Sequence, residues 1–118
     1  MDVSAIQLEL QRFADERDWE QFHTPKNLAT ALMCEAAELA EIFQWLTPAE
    51  SIAARTNPSL LESLEEEIAD VQIYLLRLTS ILGIDLETAV KAKIKKNAVK
   101  YPVEKSKGNA IKYNKREE

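Results

Sequence analysis

Several features that would point to other classes of protein are scarce or missing in this chain. It has one cysteine, Cys34, so no disulfide can form within it, and this is compatible with a reducing cytoplasm. Its 118 residues include only two glycines, which favours helices. No apolar run is long enough to span a bilayer, and the acidic N-terminus lacks the apolar core of a signal peptide. We therefore expect a cytoplasmic protein with no membrane partner.

The chain also lacks an excess of basic residues. It has 15 Lys and Arg against 20 Asp and Glu, which gives a net charge of −5. Proteins that bind nucleic-acid polymers usually carry a basic footprint, so we expect no nucleic-acid partner. Hydrophobic residues make up 46% of the chain, and its length fits one domain with a modest core.

Helix start signals recur along the chain. Thr24, Thr47 and Asn57 are each followed by proline, which combines a good N-cap with a residue tolerated at the first helical position. Asp85 is a fourth candidate cap, and no strand pattern is found. Apolar residues recur at helical spacing and predict an all-α bundle with two long central helices, 25–46 and 58–82.

The remaining elements are shorter. The first helix is predicted to end near Trp19, a short helix to run to about Arg55, and the last helix to fade around Lys100. Pro102 prevents its continuation, so the bundle is predicted to occupy residues 1–102 as a single domain. Residues 103–118 are polar, lysine-rich and aperiodic, and we expect them to form a flexible C-terminal tail.

Two pairs of carboxylates accompany the apolar stripes of the long helices. Glu35 lies inside the stripe of the 25–46 helix, and Glu38 lies on its edge. Glu67 and Asp70 lie along the stripe of the 58–82 helix in the same way. If the two stripes pack together, four carboxylates meet near the core.

Four converging carboxylates cannot all stay ionised without a cation. Magnesium or manganese would satisfy them, because these hard cations prefer oxygen ligands, and Mg²⁺ often shares its shell with substrate phosphates. A solvated acidic surface is the alternative, since twenty acidic residues produce such pairs by chance. A di-iron bundle is disfavoured, because it needs Glu-x-x-His motifs and the only histidine, His23, lies in a loop.

The pattern 35-EAAE-38 followed by 67-EIAD-70 resembles the E-x-x-E…E-x-x-D signature of the MazG-like all-α nucleoside triphosphate pyrophosphohydrolases. The similarity covers about residues 3–102. Three further stretches resemble the dCTP pyrophosphatase branch of that family: 16-ERDWEQFHTPKNL-28, 41-EIFQW-45 and 97-NAVKYP-102.

The resemblance implies a Mg²⁺-dependent hydrolase, with Mn²⁺ as a possible substitute, that cleaves a nucleoside triphosphate to the monophosphate and pyrophosphate. Its expected purpose is sanitation of the nucleotide pool, and its expected assembly is a homo-oligomer, a tetramer rather than a dimer. Glu38 is the candidate general base, and Glu35 is the second candidate catalytic residue. The implied metal ligands are Glu35, Glu38, Glu67 and Asp70. The implied substrate-binding residues are Trp19 and Trp45 for the base, Tyr74 with Asp70 for the sugar, and Lys93, Asn97, Lys100 and Tyr101 for the phosphates.

One position departs from the family pattern. Animal members of the dCTP branch carry a histidine in the first helix where this chain has Leu10, so the preference for cytosine is left open. Two alternatives also remain. One is a related phosphohydrolase acting on another nucleotide, of the dUTP or phosphoribosyl-ATP type. The other is a non-enzymatic helical interaction module whose acidic residues are merely solvated.

Overall fold

The computed structural model describes residues 1–116, and this part of the chain contains helices and no strand, as predicted for an all-α protein. None of the described helices is both long and apolar enough to cross a membrane. The α-helices are α1 (Val3–Glu16), α2 (Pro25–Phe43), α3 (Pro48–Ala53), α4 (Pro58–Leu82), α5 (Leu86–Lys100) and α6 (Val103–Ser106). Three short 3₁₀ helices are Glu20–Phe22, Ala54–Thr56 and Tyr113–Lys115.

The predicted caps start the helices. The side chains of Thr24, Thr47, Asn57 and Asp85 each accept a hydrogen bond from a backbone N–H in the first turn of α2, α3, α4 and α5. Thr47 and Glu50 form a reciprocal capping box. These local bonds fix where α2 and α4 begin, and therefore which of their faces can meet.

Two helices end earlier than their patterns indicate. The second helix ends at Phe43 rather than at residue 46. After Phe43 the N–H groups of Gln44 and Leu46 donate only three residues back, to the carbonyls of Glu41 and Phe43, so tight turns replace the α-helix before the extended Thr47. The first ends at Glu16 rather than near Trp19. There Asp18 adopts a left-handed conformation with φ of 52°, and the N–H of Trp19 donates to the carbonyl of Ala14.

The most extensive packing joins α2 and α4, and α1 packs on α4. Leu28 of α2 and Leu64 and Leu76 of α4 are buried in this core. The stripe predicted for α4 is only partly covered, because Ile68 and Leu82 are each 50% exposed. The bundle therefore brings the predicted stripes together while leaving considerable apolar surface in contact with solvent.

The chain divides into two compact units, Met1–Ile84 and Asp85–Glu118. The first carries five Lys and Arg and fifteen Asp and Glu, a net charge of −10. The second carries ten Lys and Arg and five Asp and Glu, a net charge of +5. The acidic and basic residues of the chain are thus largely segregated between the two units.

Within the second unit, residues of the predicted tail fold back on the end of α5. The rings of Tyr101 and Tyr113 pack edge to face with centroids 6.0 Å apart, and Nη2 of Arg116 donates to the carbonyl of Lys100 at 2.6 Å. The single-domain boundary at 102 stays a prediction. Residues 117 and 118 of the predicted tail lie outside the described residues.

Candidate active site

Three of the predicted metal ligands lie together between α2 and α4. Glu35, Glu38 and Glu67 each place a carboxylate oxygen within 4.8 Å of the others. Glu35 and Glu38 are one helical turn apart on α2, and Glu67 faces them from α4. Glu35 and Glu67 are half-buried, while Glu38 is exposed. We call these three residues the acid cluster.

The acid cluster is short of hydrogen-bond donors. The Oε2 atoms of Glu35 and Glu67 are buried and have no hydrogen-bond partner among the described residues. Burial raises the pKa of Glu35 to about 7, and the neighbouring carboxylates, first Glu38, add to the effect. Burial followed by the charge of Glu38 likewise raises the pKa of Glu67. An ionised cluster therefore requires a positive partner.

Asp70 connects the acid cluster to a neighbouring cleft. Its charge contributes to the raised pKa values of Glu35 and Glu67, so it acts on the cluster without belonging to it. Asp70 also lines a cleft with a volume of about 150 Å³. The lining residues are Leu10, Phe13, Trp19, His23, Asp70, Ile73, Tyr74 and Arg77.

The cleft has an aromatic wall. Trp19 packs edge to face against Phe13, with ring centroids 5.7 Å apart, and against His23 at 6.2 Å. Tyr74 lies one turn after Asp70 on α4 and belongs to the same cleft. An apolar cleft of this kind, with a few polar groups beside a cluster of carboxylates, is typical of a site for a small ligand with one flat end and one charged end.

Arg77 supplies the positive charge of the cleft. It is 2% exposed, and its Nε donates to Nδ1 of His23 at 3.0 Å. Its Nη1 donates to Oε1 of Gln11, and its Nη2 lies 3.9 Å from Oε2 of Glu20. The amide of Gln11 in turn donates to Glu20 at 2.9 Å. The network joins α1, the loop after it and α4, and so determines the shape of the cleft.

The other predicted substrate residues lie elsewhere. Trp45 follows the end of α2, is 87% exposed, and is not among the residues that line this cleft. The residues assigned to phosphates belong to the second unit, on α5 and at its C-cap: Lys93, Asn97, Lys100 and Tyr101. Their roles, and that of Trp45, stay predictions.

Sequence reasoning missed Arg77 and gave His23 no part in the site. A signal was present, because Asp70, Tyr74 and Arg77 follow one another in steps of four and three along one face of α4. His23 carries no comparable signal. Its position next to Arg77 depends on the turn after α1, which begins at the left-handed Asp18.

The described residues thus form an all-α bundle with an acid cluster between two long helices and an aromatic cleft beside it. The model of the MazG-like family matches residues 31–115, which include the acid cluster, Asp70 and α5. The chain belongs to the MazG-like family.

Known relatives cover most of the chain. It is 48% identical over 101 residues to dCTP pyrophosphatase 1 of Rattus norvegicus and 45% identical to that of Homo sapiens. Each alignment includes 86% of this chain and 59% of the relative, so the chain spans about three fifths of the length of the curated relatives it matches. A solved structure, a pyrophosphatase of Archaeoglobus fulgidus, superposes with a TM-score of 0.74 at 42% identity over 86% of this chain and 94% of that one.

Proposed function

We propose that the protein is a Mg²⁺-dependent nucleoside triphosphate pyrophosphohydrolase that releases pyrophosphate and a nucleoside monophosphate. The observation that carries the proposal is the acid cluster, in which Glu35 and Glu67 each bury a carboxylate oxygen that no donor of residues 1–116 satisfies. The names of the relatives support the same reaction. The volume of the neighbouring cleft, about 150 Å³, and its aromatic lining suit the flat base of a nucleotide.

Glu35, Glu38 and Glu67, with Asp70 beside them, would hold the metal. Their donor atoms are all carboxylate oxygens, which suits Mg²⁺, with Mn²⁺ as a substitute, better than a softer metal. When bound, the ion neutralises phosphate charge and favours attack by water at phosphorus. The buried oxygens of Glu35 and Glu67 would then have the positive partner that they lack among the described residues.

The remaining steps are assigned to side chains of this chain. The base lies in the cleft against Trp19, where stacking supplies affinity. Tyr74 and Asp70, which line the cleft, contact the sugar. Glu38, the exposed member of the cluster, accepts the proton of the water that attacks the α-phosphorus, as the bond from that phosphorus to the leaving pyrophosphate breaks.

We infer a preference for a cytosine deoxynucleotide and a role in sanitation of the cytoplasmic nucleotide pool. The sequence identity of 45–48% with proteins named dCTP pyrophosphatase 1 supports this preference. Leu10, which takes the place of the expected histidine, lines the cleft, so the base is read by other residues of the cleft.

We infer further that the working form is a homo-oligomer, a tetramer rather than a dimer. Apolar surface supports association, because Met33 and Ile52 are 65% exposed, Ile68 is 50% exposed and Trp45 is 87% exposed. Few large side chains are fully buried, which leaves the isolated chain a small core. Sedimentation analysis of the purified protein tests this, and a monomer at micromolar concentration would contradict it.

The decisive experiment measures pyrophosphate release from canonical dNTPs and NTPs, with Mg²⁺ and with EDTA. We expect Mg²⁺-dependent release, led by dCTP, and its loss in Glu35→Gln, Glu67→Gln and Asp70→Asn. Glu41→Gln is the matched control, because Glu41 is an exposed glutamate of α2 outside the acid cluster. Release led by another base would retain the reaction and reject the cytosine preference. No release from any nucleotide would reject the proposed function.

A further inference from the structure

The buried arginine of the cleft fixes the state of the only histidine in the chain. Because the Nε–H of Arg77 donates to Nδ1 of His23 at 3.0 Å, Nδ1 must be the unprotonated nitrogen of that ring. The proton of the neutral imidazole therefore lies on Nε2. His23 is half-buried and lines the cleft, so its Nε2–H is a hydrogen-bond donor within a residue that borders the ligand space.

Several features keep the ring in that state. Burial and the charge of Arg77 lower the pKa of His23, and the charge of Glu20 only partly opposes them. A second proton on Nδ1 would face the guanidinium directly. Arg77 itself cannot turn away easily, because it is 2% exposed and also donates to Gln11, which is bonded to Glu20.

A neutral histidine with a fixed tautomer discriminates between ring nitrogens. The N3 atom of cytosine is an acceptor, whereas N3 of uracil and thymine carries a hydrogen and is a donor. An Nε2–H facing N3 forms a hydrogen bond with cytosine and meets another donor in uracil or thymine. A buried donor without an acceptor costs more than the hydrogen bond contributes, so this contact rejects the wrong base strongly.

We propose that His23, held by Arg77 with its proton on Nε2, is the residue that reads the base in this cleft and selects cytosine over uracil and thymine. The proposal rests on the proposed function and names the specificity determinant of the same site. His23 contacts the substrate, while Arg77 is a positioning residue that acts through it. Trp19, whose ring lies edge to face with His23, supplies stacking and no selectivity.

The first test changes the substrate and leaves the protein intact. Hydrolysis of dCTP is compared with that of 3-deaza-dCTP, in which N3 is replaced by C–H, and with the triphosphate of 2-pyrimidinone deoxyriboside, which keeps N3 and lacks the amino group. We expect kcat/KM to fall about 10- to 100-fold for the 3-deaza compound. The 2-pyrimidinone compound should stay within a few-fold of dCTP. Equal hydrolysis of dCTP and 3-deaza-dCTP would overturn the proposal.

The second test observes the histidine directly. Since His23 is the only histidine, the ¹⁵N spectrum of its ring needs no assignment by mutation. In the wild-type protein at neutral pH, Nδ1 should resonate as an unprotonated nitrogen and Nε2 as a protonated one. Binding of dCMP should shift Nε2. A protonated Nδ1 in the free protein would overturn the proposal.

Variants distinguish the role of His23, which contacts the base, from that of Arg77, which positions His23. In His23→Phe an aromatic ring is kept and the donor is lost, so the ratio of kcat/KM for dCTP over dUTP should approach one. In Arg77→Met the tautomer of His23 is no longer fixed. The ratio of kcat/KM for dCTP over dUTP should therefore fall, and the ¹⁵N spectrum should show a mixture of the two tautomers. Arg55→Met, at an exposed arginine, is the matched control. An unchanged ratio in both His23→Phe and Arg77→Met would overturn the assignment.

These outcomes are distinguishable from failure of the proposed function. If the wild-type protein releases pyrophosphate from dCTP but accepts 3-deaza-dCTP equally well, the reaction stands and the role of His23 is rejected. If no nucleotide is hydrolysed, the proposed function fails first. The specificity proposal then fails as well unless dCMP still shifts Nε2 and dUMP does not.

Discussion

Glu35 of α2 and Glu67 of α4 bring carboxylate oxygens within 4.8 Å of each other, and each keeps a buried oxygen without a hydrogen-bond partner in the described residues. Two half-buried carboxylates in this relationship repel when both are ionised. The packing of α2 on α4 holds them together, so part of the stability of the bundle is used to maintain a site that disfavours its own ionised state.

Removal of one of these carboxylates should therefore raise the stability of the metal-free protein and abolish its function. We expect Glu35→Gln to raise the thermal midpoint of the metal-free protein at neutral to alkaline pH, because it removes a repelled charge. The same change should abolish Mg²⁺ binding and turnover. Calorimetric titration with Mg²⁺ and thermal denaturation in EDTA measure the two effects. Glu41→Gln should change neither, and a lower midpoint for Glu35→Gln than for Glu41→Gln would contradict the prediction.

The acid cluster should also give the metal-free protein an unusual pH dependence. Burial raises the pKa of Glu35 to about 7, above the ordinary value of 4.5 for a glutamate, and it also raises the pKa of Glu67. Between those values the folded state holds protons that the unfolded state releases. This contribution to stability is present at low pH and is lost as pH rises through about 7.

Thermal denaturation in EDTA between about pH 5.5 and about pH 8 checks this expectation. The midpoint should fall over that range, and saturating Mg²⁺ should remove the fall because the ion binds the ionised carboxylates of the folded state. In Glu35→Gln the fall should shrink. A midpoint that rises with pH in EDTA would show that the carboxylates of the acid cluster are not repelling one another.

Trp19 should contribute to substrate binding more than to the chemical step. It lines the cleft beside Phe13, and the residue is 41% exposed. Stacking on a base contributes about 1–3 kcal/mol, so Trp19→Ala should raise KM by roughly 5- to 150-fold while kcat changes little. Phe22→Ala is the control, since Phe22 is an exposed aromatic of the same loop outside the cleft. An equal rise in KM for both variants would contradict a specific role for Trp19.

The end of α4 depends on one glycine. Gly83 has a φ of 66° and no atom near the position of an added Cβ, so an alanine there would be strained by its backbone conformation alone. We expect Gly83→Ala to lower the free energy of unfolding by about 1 kcal/mol, with catalytic constants unchanged. Urea denaturation monitored by circular dichroism measures this. A variant as stable as the wild-type protein would contradict the prediction.

The sequence predicted the two long helices, apart from the end of α2, and it predicted that Glu35, Glu38 and Glu67 meet between them. Their role as metal ligands stays a prediction. The start of α4 and its end at Leu82 follow from Asn57-Pro58 and Gly83, which are strong local signals. Glu35 could be placed in the core because it interrupts an apolar stripe. Each of these features depends on residues close together in the chain, where periodicity and capping chemistry apply.

Only some of the residues that line the cleft could be predicted from the sequence. Tyr74 and Trp19 were assigned to substrate from the family resemblance, and both line it. The contact of Arg77 with His23 joins residues 54 positions apart and depends on the turn at Asp18, whose left-handed conformation is rare outside glycine. Contacts of this kind arise from tertiary packing, which no local pattern in one sequence encodes.

The segregation of charge between the two units affects how a nucleotide reaches the protein. A unit of net charge −10 repels a free triphosphate, and one of +5 attracts it. Such fields extend about 10 Å at 0.1 M salt and shrink as ionic strength rises. Encounter rates should therefore respond to salt even though the net charge of the whole chain is only −5. If added salt lowers kcat/KM, the lysine-rich unit guides the approach, and if it raises kcat/KM, the acidic unit limits it.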